Sequence, residues 1–264
     1  MSNEHQMHIR LRERQALLDN AARLLHDDEH IVAAWLIGSL GRGDSDEWSD
    51  IDLWIVVKDD AFDAVTTARY EFSANLGRAV LFEDAPQNAP TGGAFLTAMY
   101  AGTGGAHQVD LYWQPMSLAS RPPDTRLLFE RVNIPLAEQT FPSDDERIES
   151  AIEQTRYFWV MSAIVAKTIA RRNIWKVLQL LIPTRTALEQ VRWLIGERSE
   201  PPTYREMPTF NPPQTSADHL GELGGLLEEM SRLVAKTPAL RNAVDPAAIE
   251  QVRELCSTVE RKVI

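Results

Sequence analysis

Two aspartates separated by a single residue, Asp50 and Asp52, stand at the start of an apolar run. Alternate side chains of a strand point to the same face, so both carboxylates are expected on one face, with Ile51 and Leu53 on the other. Two carboxylates this close repel each other unless a positive charge lies between them. The usual occupant is Mg²⁺, a hard cation held by one or two carboxylates and by substrate phosphates. The pair therefore predicts a magnesium site that also binds a phosphorylated substrate.

A second chemical feature lies just before these aspartates. An apolar run ends in Gly38 and Ser39, and the glycine-rich residues 40–43 are predicted to form a loop. Glycine lets the backbone approach a phosphate closely, and exposed N–H groups can then bind that phosphate. We expect Gly38 and Ser39 to contact a nucleoside triphosphate, with Arg42 as a further phosphate-binding candidate.

The order of these motifs resembles a known superfamily. Gly-Ser, a spacer of about ten residues and an Asp-x-Asp between apolar residues are similar to the nucleotidyltransferases that include DNA polymerase β. Within that superfamily the chain is most similar to the small antibiotic nucleotidyltransferases, which adenylylate aminoglycosides or lincosamides. The resemblance is strongest over residues 28–58 and thinner over residues 148–197. It implies an α/β (α+β) palm domain with a mixed sheet, followed by an all-α helical bundle domain.

The resemblance also implies a third carboxylate on a neighbouring strand. Asp110 is the best candidate, because an acidic residue within an apolar strand is costly to bury without a partner. A metal ion shared with Asp50 and Asp52 would supply that partner. The alternatives are an aspartate at a strand edge in contact with water, or one paired with an arginine. Glu83 and Asp84 compete for the same role, and the sequence leaves open whether Asp110 is a metal ligand or a general base.

The reaction that the resemblance implies is nucleotidyl transfer. An acceptor hydroxyl would attack the α-phosphorus of ATP, the donor, with Mg²⁺ as cofactor and pyrophosphate as the leaving group. The product would be an adenylylated small molecule. Two other functions are compatible with the motif: transfer to a protein or tRNA, as in toxin–antitoxin and regulatory members, and non-catalytic nucleotide binding. A scaffolding role for the helical half gains no specific support from the sequence.

Composition limits the partners. The 264 residues are enough for two modest domains, and 25% charged residues are ordinary for a soluble globular protein. A net charge of −11 argues against general nucleic-acid binding and suits a cationic small acceptor. The single cysteine, Cys256, excludes an intramolecular disulfide and a cysteine-based zinc site.

The N-terminus is polar and lacks the apolar core of a signal peptide, and no uninterrupted apolar stretch approaches membrane-spanning length. We therefore expect a cytoplasmic protein with no membrane partner. The sequence leaves the oligomeric state open, a homodimer included.

Apolar patterns predict a palm domain over residues 1–141 and a helical domain over residues 142–264. Palm helices are predicted at 7–26 and 61–76, strands at 31–37, 51–57, 79–82, 94–101 and 108–113, and a hairpin connection at 102–105. Trp54 shares the predicted strand face of the aspartate pair, which makes its ring a candidate to stack on a base or a substrate ring.

The second domain is predicted to be helical over 144–197, 216–235 and 245–263, with a proline-rich connector at 201–213. Lys167, Arg171, Arg172 and Lys176 lie within one otherwise apolar stretch. Cations there can neutralise the β- and γ-phosphates. We expect at least one of them, with Lys167 and Lys176 as the candidates, to contact the nucleotide; the alternative for each is a solvated position.

Overall fold

A computed structural model of the protein describes residues 3–103, 105–137, 142–202 and 214–263. The chain folds into two units, Met1–Gln139 and Thr140–Ile264. The predicted boundary between residues 141 and 142 stays a prediction, because residue 141 lies outside the described residues. Most of the predicted proline-rich connector, residues 203–213, also lies outside them.

The first unit contains a six-stranded sheet with the strand order β3-β4-β5-β2-β1-β6. The strands are β1 (Ile31–Leu36), β2 (Ile51–Val57), β3 (Ala79–Glu83), β4 (Ala94–Tyr100), β5 (His107–Pro115) and β6 (Arg126–Glu130). Strands β2 and β5 run parallel, and the other neighbouring pairs are antiparallel. The predicted mixed sheet is therefore confirmed.

Among the described residues of this unit, four α-helices accompany the sheet: α1 (Asn3–Asp27), α2 (Gly38–Arg42), α3 (Phe62–Thr67) and α4 (Arg69–Ala74). Leu18 and Leu25 of α1 are buried in one apolar core with Leu53 and Ile55 of β2. Because side chains alternate along β2, its other face carries Asp52 and Trp54. Burial of the apolar face thus fixes the face on which the carboxylate lies.

Three elements differ from the sequence-based expectations. The helix predicted over 61–76 is divided into α3 and α4 around Ala68. Residues 40–43 do not form a loop, because residues 40–42 belong to α2. Strand β6 was not predicted, since it is an edge strand with largely exposed side chains and therefore lacks a strong apolar pattern. The predicted hairpin at 102–105 includes residue 104, which lies outside the described residues.

The second unit contains α5 (Asp144–Ala170), α6 (Ile174–Leu194), α7 (Ser216–Lys236) and α8 (Pro246–Val263), which share an apolar core. A capping box between Ser143 and Glu146 starts α5. The predicted helical stretch 144–197 is divided because Arg172 adopts a φ of +56°, after which Asn173 caps α6. Arrangement of the helices as a bundle stays a prediction. No described helix is both long and apolar enough to cross a membrane.

A network of charged side chains joins α6, α7 and the residues after α6. Arg232 lies 2.7 Å from carboxylate oxygens of both Glu197 and Glu229. Lys236 adds a 2.7 Å contact to Glu197, and Arg192 also pairs with Glu229. Hydrogen bonds from Arg232 and Lys236 lower the pKa of Glu197 to about 2, and those from Arg232 and Arg192 lower the pKa of Glu229 to about 2. The network is therefore a source of pH-dependent stability.

A carboxyl whose pKa is lower in the folded than in the unfolded state stabilises the fold above its unfolded value of about 4.3. This stabilisation is lost as the pH falls from there toward 2, where Glu197 and Glu229 become protonated. We expect Arg232→Met to have a lower thermal midpoint than the wild type at pH 7. Between pH 5 and pH 2.5 its thermal midpoint should fall less than that of the wild type. Circular dichroism measures both. Arg261→Met, at an exposed ion pair outside the network, is the control; equal pH slopes in the wild type and Arg232→Met would contradict the assignment.

Candidate functional site

The structure brings Asp52 and Asp110 side by side. They are direct partners in the parallel pairing of β2 with β5, on strands roughly 4.8 Å apart, so their side chains leave the same face of the sheet. Asp50 immediately precedes β2. All three aspartates are partly buried. The three carboxylates predicted to act together therefore lie at one end of two neighbouring strands.

The negative charges at this site influence one another. Burial raises the pKa of the Asp50 carboxyl, and the charge of Asp110 raises it further. The positive charges of Arg10 and Arg14 act in the opposite direction. Burial, with the charges of Asp52 and Asp110, also raises the pKa of the Tyr112 hydroxyl to about 12. The site is thus a concentration of negative charge, which attracts a cation.

Two polar side chains fix the orientation of Asp110. Thr97 Oγ1 donates a hydrogen bond of 2.7 Å to Asp110 Oδ1 from the neighbouring strand β4. Gln108 Nε2 donates to both carboxylate oxygens, at 3.1 and 3.2 Å. Thr97 was missed in the sequence because its role depends on the register of β4 with β5. Gln108 can be predicted from the sequence, because it lies two residues before Asp110 and therefore on the same face of the strand.

Gly38 makes close approach to Asp52 possible. Its φ is +61°, and a Cβ at this position would lie 3.0 Å from Asp52 Cγ and closer still to Oδ2. The backbone N–H of Ile37 donates to the carbonyl of Asp52 at 3.0 Å, and the N–H of Gly41 then donates to the carbonyl of Ile37, which starts α2. Only glycine combines this backbone conformation with the space that the carboxylate occupies. Ser39, also in α2, is buried.

These residues fit a divalent metal ion by the chemistry of their donors. Carboxylate oxygens are the ligands that Mg²⁺ takes in proteins, and the other positions are filled by water and substrate phosphates. In the described part of the chain, however, no three His, Cys, Asp or Glu side chains already form a metal-binding group. A metal held by Asp50, Asp52 and Asp110 would therefore require these side chains to turn toward one point.

The competing acids lie elsewhere. Glu83 is in register with Thr97, so three strand spacings, about 14 Å, separate its backbone from that of Asp52. Asp84 pairs with Arg69 at 2.5 Å. The backbone of Asp110, by contrast, lies one strand spacing from that of Asp52, which favours Asp110 as the third carboxylate.

The interpretation of Trp54 as a stacking surface for a base or ring is not supported by its packing. Its ring stacks on Tyr112 at 5.3 Å and on Trp35 at 6.3 Å between ring centroids. The indole N–H donates to Gln114 Oε1 at 3.1 Å, which fixes the ring further. Trp54 is therefore a packing residue beside the site.

The predicted phosphate-binding cations belong to different units, Arg42 to the first and Lys167 and Lys176 to the second. Arg42 pairs with Asp44 at 3.4 Å. Lys167 lies in the last turn of α5 and Lys176 in the first turn of α6, and both are exposed. Their side chains make no ion pair or hydrogen bond with other described residues.

Comparison with known families gives an independent observation. Residues 19–91 match the family model described as "Polymerase beta, Nucleotidyltransferase". The match supports the nucleotidyltransferase superfamily. It includes Gly38, Ser39, Asp50 and Asp52, whereas Asp110 lies beyond it. No curated protein shows significant similarity to the chain.

The contact between Gly38 and Asp52 predicts a difference between two glycines. Gly43, with a φ of +81°, has nothing within 4 Å of an added Cβ. Gly43→Ala should lower the free energy of unfolding by about 1–2 kcal/mol, because alanine is disfavoured in the left-handed backbone conformation. Gly38→Ala should cost roughly 1–3 kcal/mol more, because its Cβ overlaps the carboxylate. Urea denaturation of both variants measures this difference, and equal destabilisation would disprove the close packing against Asp52.

Proposed function

We propose that this protein is a Mg²⁺-dependent nucleotidyltransferase that moves AMP from ATP onto a hydroxyl group of a small molecule, such as an aminoglycoside or lincosamide antibiotic. The observation that carries the proposal is the pairing of Asp52 with Asp110 on parallel strands, next to Asp50. The family match over residues 19–91 suggests nucleotide transfer in general. The donor, the metal and the acceptor class are our inference from the donor chemistry and the resemblance of the motifs.

Asp50, Asp52 and Asp110 would hold the metal ion. When bound, Mg²⁺ would neutralise the triphosphate and polarise the α-phosphoryl group. Gly38, which has no side chain, leaves room for the Asp52 carboxylate itself. The phosphate contacts expected of Gly38 and Ser39 stay a prediction.

The bond changes follow from in-line transfer. The acceptor oxygen forms a bond to the α-phosphorus while the bond to the bridging oxygen of the β-phosphate breaks, and pyrophosphate departs with that electron pair. The acceptor hydroxyl gives its proton to Asp110 or, where Asp110 ligates the metal instead, to water; Asp110 is oriented by Thr97 and Gln108.

The charge of the chain supports a small cationic acceptor. A net charge of −11 disfavours the phosphate backbone of tRNA and favours an amine-bearing molecule such as an aminoglycoside. No nucleic-acid partner is proposed.

The first test is release of pyrophosphate from ATP and Mg²⁺ with a panel of aminoglycosides and lincosamides. We expect at least one drug to stimulate release in the wild type. Asp52→Asn and Asp110→Asn should each reduce this rate by at least about 100-fold, since even the outer partners of a metal site contribute 10–100-fold. Circular dichroism should show an intact fold.

Asp84→Asn is the matched control, because Asp84 is the acidic competitor that pairs with Arg69. It should retain near-normal activity. A fully active Asp52→Asn variant would contradict the metal-site assignment. Loss of activity in Asp84→Asn but not in Asp110→Asn would identify Asp84, rather than Asp110, as the third carboxylate.

We also propose that Lys167 and Lys176, with Arg42, neutralise the phosphates of ATP. Their support is exposure and, for the two lysines, the absence of a side-chain partner among the described residues. A charge-assisted hydrogen bond contributes about 1.5–3 kcal/mol. Lys167→Met or Lys176→Met should therefore raise KM for ATP by roughly tenfold or more, while Lys262→Met near the C-terminus leaves it unchanged. An unaltered KM for ATP in both Lys167→Met and Lys176→Met would contradict this proposal and show that both lysines occupy solvated positions.

A further inference from the structure

A buried arginine of α1 joins the segments that lead into both carboxylate strands. Arg10 is 9% exposed. Its Nε donates to the carbonyl of Glu47 at 3.1 Å, and its Nη1 donates to the carbonyl of Ala106 at 2.9 Å. Glu47 lies three residues before Asp50, and Ala106 lies four residues before Asp110. One guanidinium group therefore holds the entrances of β2 and β5 together.

Arg14, one helical turn further along α1, holds the first of these segments at two more points. Its Nη1 donates to the carbonyls of Asp46, at 2.5 Å, and Ser49, at 3.0 Å. Ser49 immediately precedes Asp50. The segment is also closed on itself, because Asp46 Oδ1 accepts hydrogen bonds from the Trp48 N–H and the Ser49 hydroxyl at 3.0 and 2.9 Å. The backbone before Asp50 is thus held from both sides.

Between the two arginines, Glu13 contacts the second segment. Its carboxylate accepts a hydrogen bond of 2.8 Å from the Thr103 N–H and lies 3.1 Å from Nε2 of the buried His107. His107 is the first residue of β5. A single turn of α1 therefore contacts the backbone before each strand that carries an aspartate of the site.

This arrangement has an electrostatic cost that ordinary helix packing would not require. Burial lowers the pKa of Arg14, and so does the like charge of Arg10, while Asp46 opposes both effects. Two partly or fully buried cations placed near each other are unfavourable unless acceptors offset them. Here the acceptors are backbone carbonyls of two separate segments, which a guanidinium can bind simultaneously through its several donors.

We propose that Arg10 and Arg14 are positioning residues for the proposed metal site, and the inference rests on that proposed function. By holding the two entrance segments, they set the separation of Asp50 and Asp52 on one strand from Asp110 on the other. They act through the backbone carbonyls that they bind rather than as ligands of the metal.

A simpler role, as counter-ions of Asp50, makes the opposite prediction. If the arginines only balanced negative charge, removing one would strengthen the binding of a divalent cation. If they position the carboxylates, removing one weakens that binding even though a positive charge has been lost. The sign of the change in metal affinity separates the two roles.

The experiment is a calorimetric titration of the full chain with Mn²⁺ alone, as a probe for Mg²⁺, at pH 7.5. We expect Arg14→Met to raise the Kd for Mn²⁺ by roughly 10–100-fold, the range found for outer partners of metal sites. Arg10→Lys, which retains the charge but loses the forked geometry, should also raise it. Arg23→Met, on the exposed side of α1, should bind as the wild type does.

Circular dichroism checks that each variant is folded, and Arg14→Lys replaces any variant that is not. Tighter or unchanged Mn²⁺ binding in folded Arg14 and Arg10 variants overturns the positioning role but leaves the proposed function standing. A wild type that does not bind Mn²⁺, or an Asp52→Asn variant that binds it equally well, overturns the metal site itself and the inference with it.

Discussion

Repulsion between carboxylates on two adjacent parallel strands is the constraint around which the first unit is arranged. With Asp52 and Asp110 one strand spacing apart, two full charges repel by roughly 3 kcal/mol at an effective dielectric constant of 20. The nearby Asp50 adds to this repulsion, because burial and the charge of Asp110 both raise the pKa of its carboxyl. A fold that served only to bury apolar surface would avoid such an arrangement. The proposed metal ion, shared by the three groups, would offset this repulsion.

The elements around the carboxylates make this placement possible. Parallel pairing of β2 and β5 brings two strands distant in sequence into register, so that aspartates from each emerge together. Gly38 at the start of α2 gives Asp52 the space that it occupies. Thr97 and Gln108 orient Asp110, and α1 holds the approach to both strands through its arginines and Glu13. The contacts that hold these strands together therefore also place the three aspartates.

Much of this arrangement could be predicted from local pattern. Alternation around Asp50 and Asp52 predicted the carboxylate face, and strand β2 has the predicted bounds of residues 51–57. Contacts between distant segments could not be predicted in this way. Thr97 depends on strand register, and Arg10 binds carbonyls that no side-chain pattern reveals. The sequence of the short helix α2 predicts a loop, because glycine is unfavourable in helices. The structure shows a helix there, with a hydrogen bond from the Gly41 N–H to the Ile37 carbonyl that no residue pattern reveals.

The most direct test of the central claim is a crystal structure of the full chain with Mn²⁺ and an ATP analogue whose α–β bridge cannot be cleaved. Anomalous scattering locates the metal. The account predicts a peak about 2.1 Å from carboxylate oxygens of Asp50 and Asp52, with Asp110 as a further ligand or directed at the position from which the acceptor hydroxyl attacks. Metal and nucleotide bound away from these three side chains would contradict it.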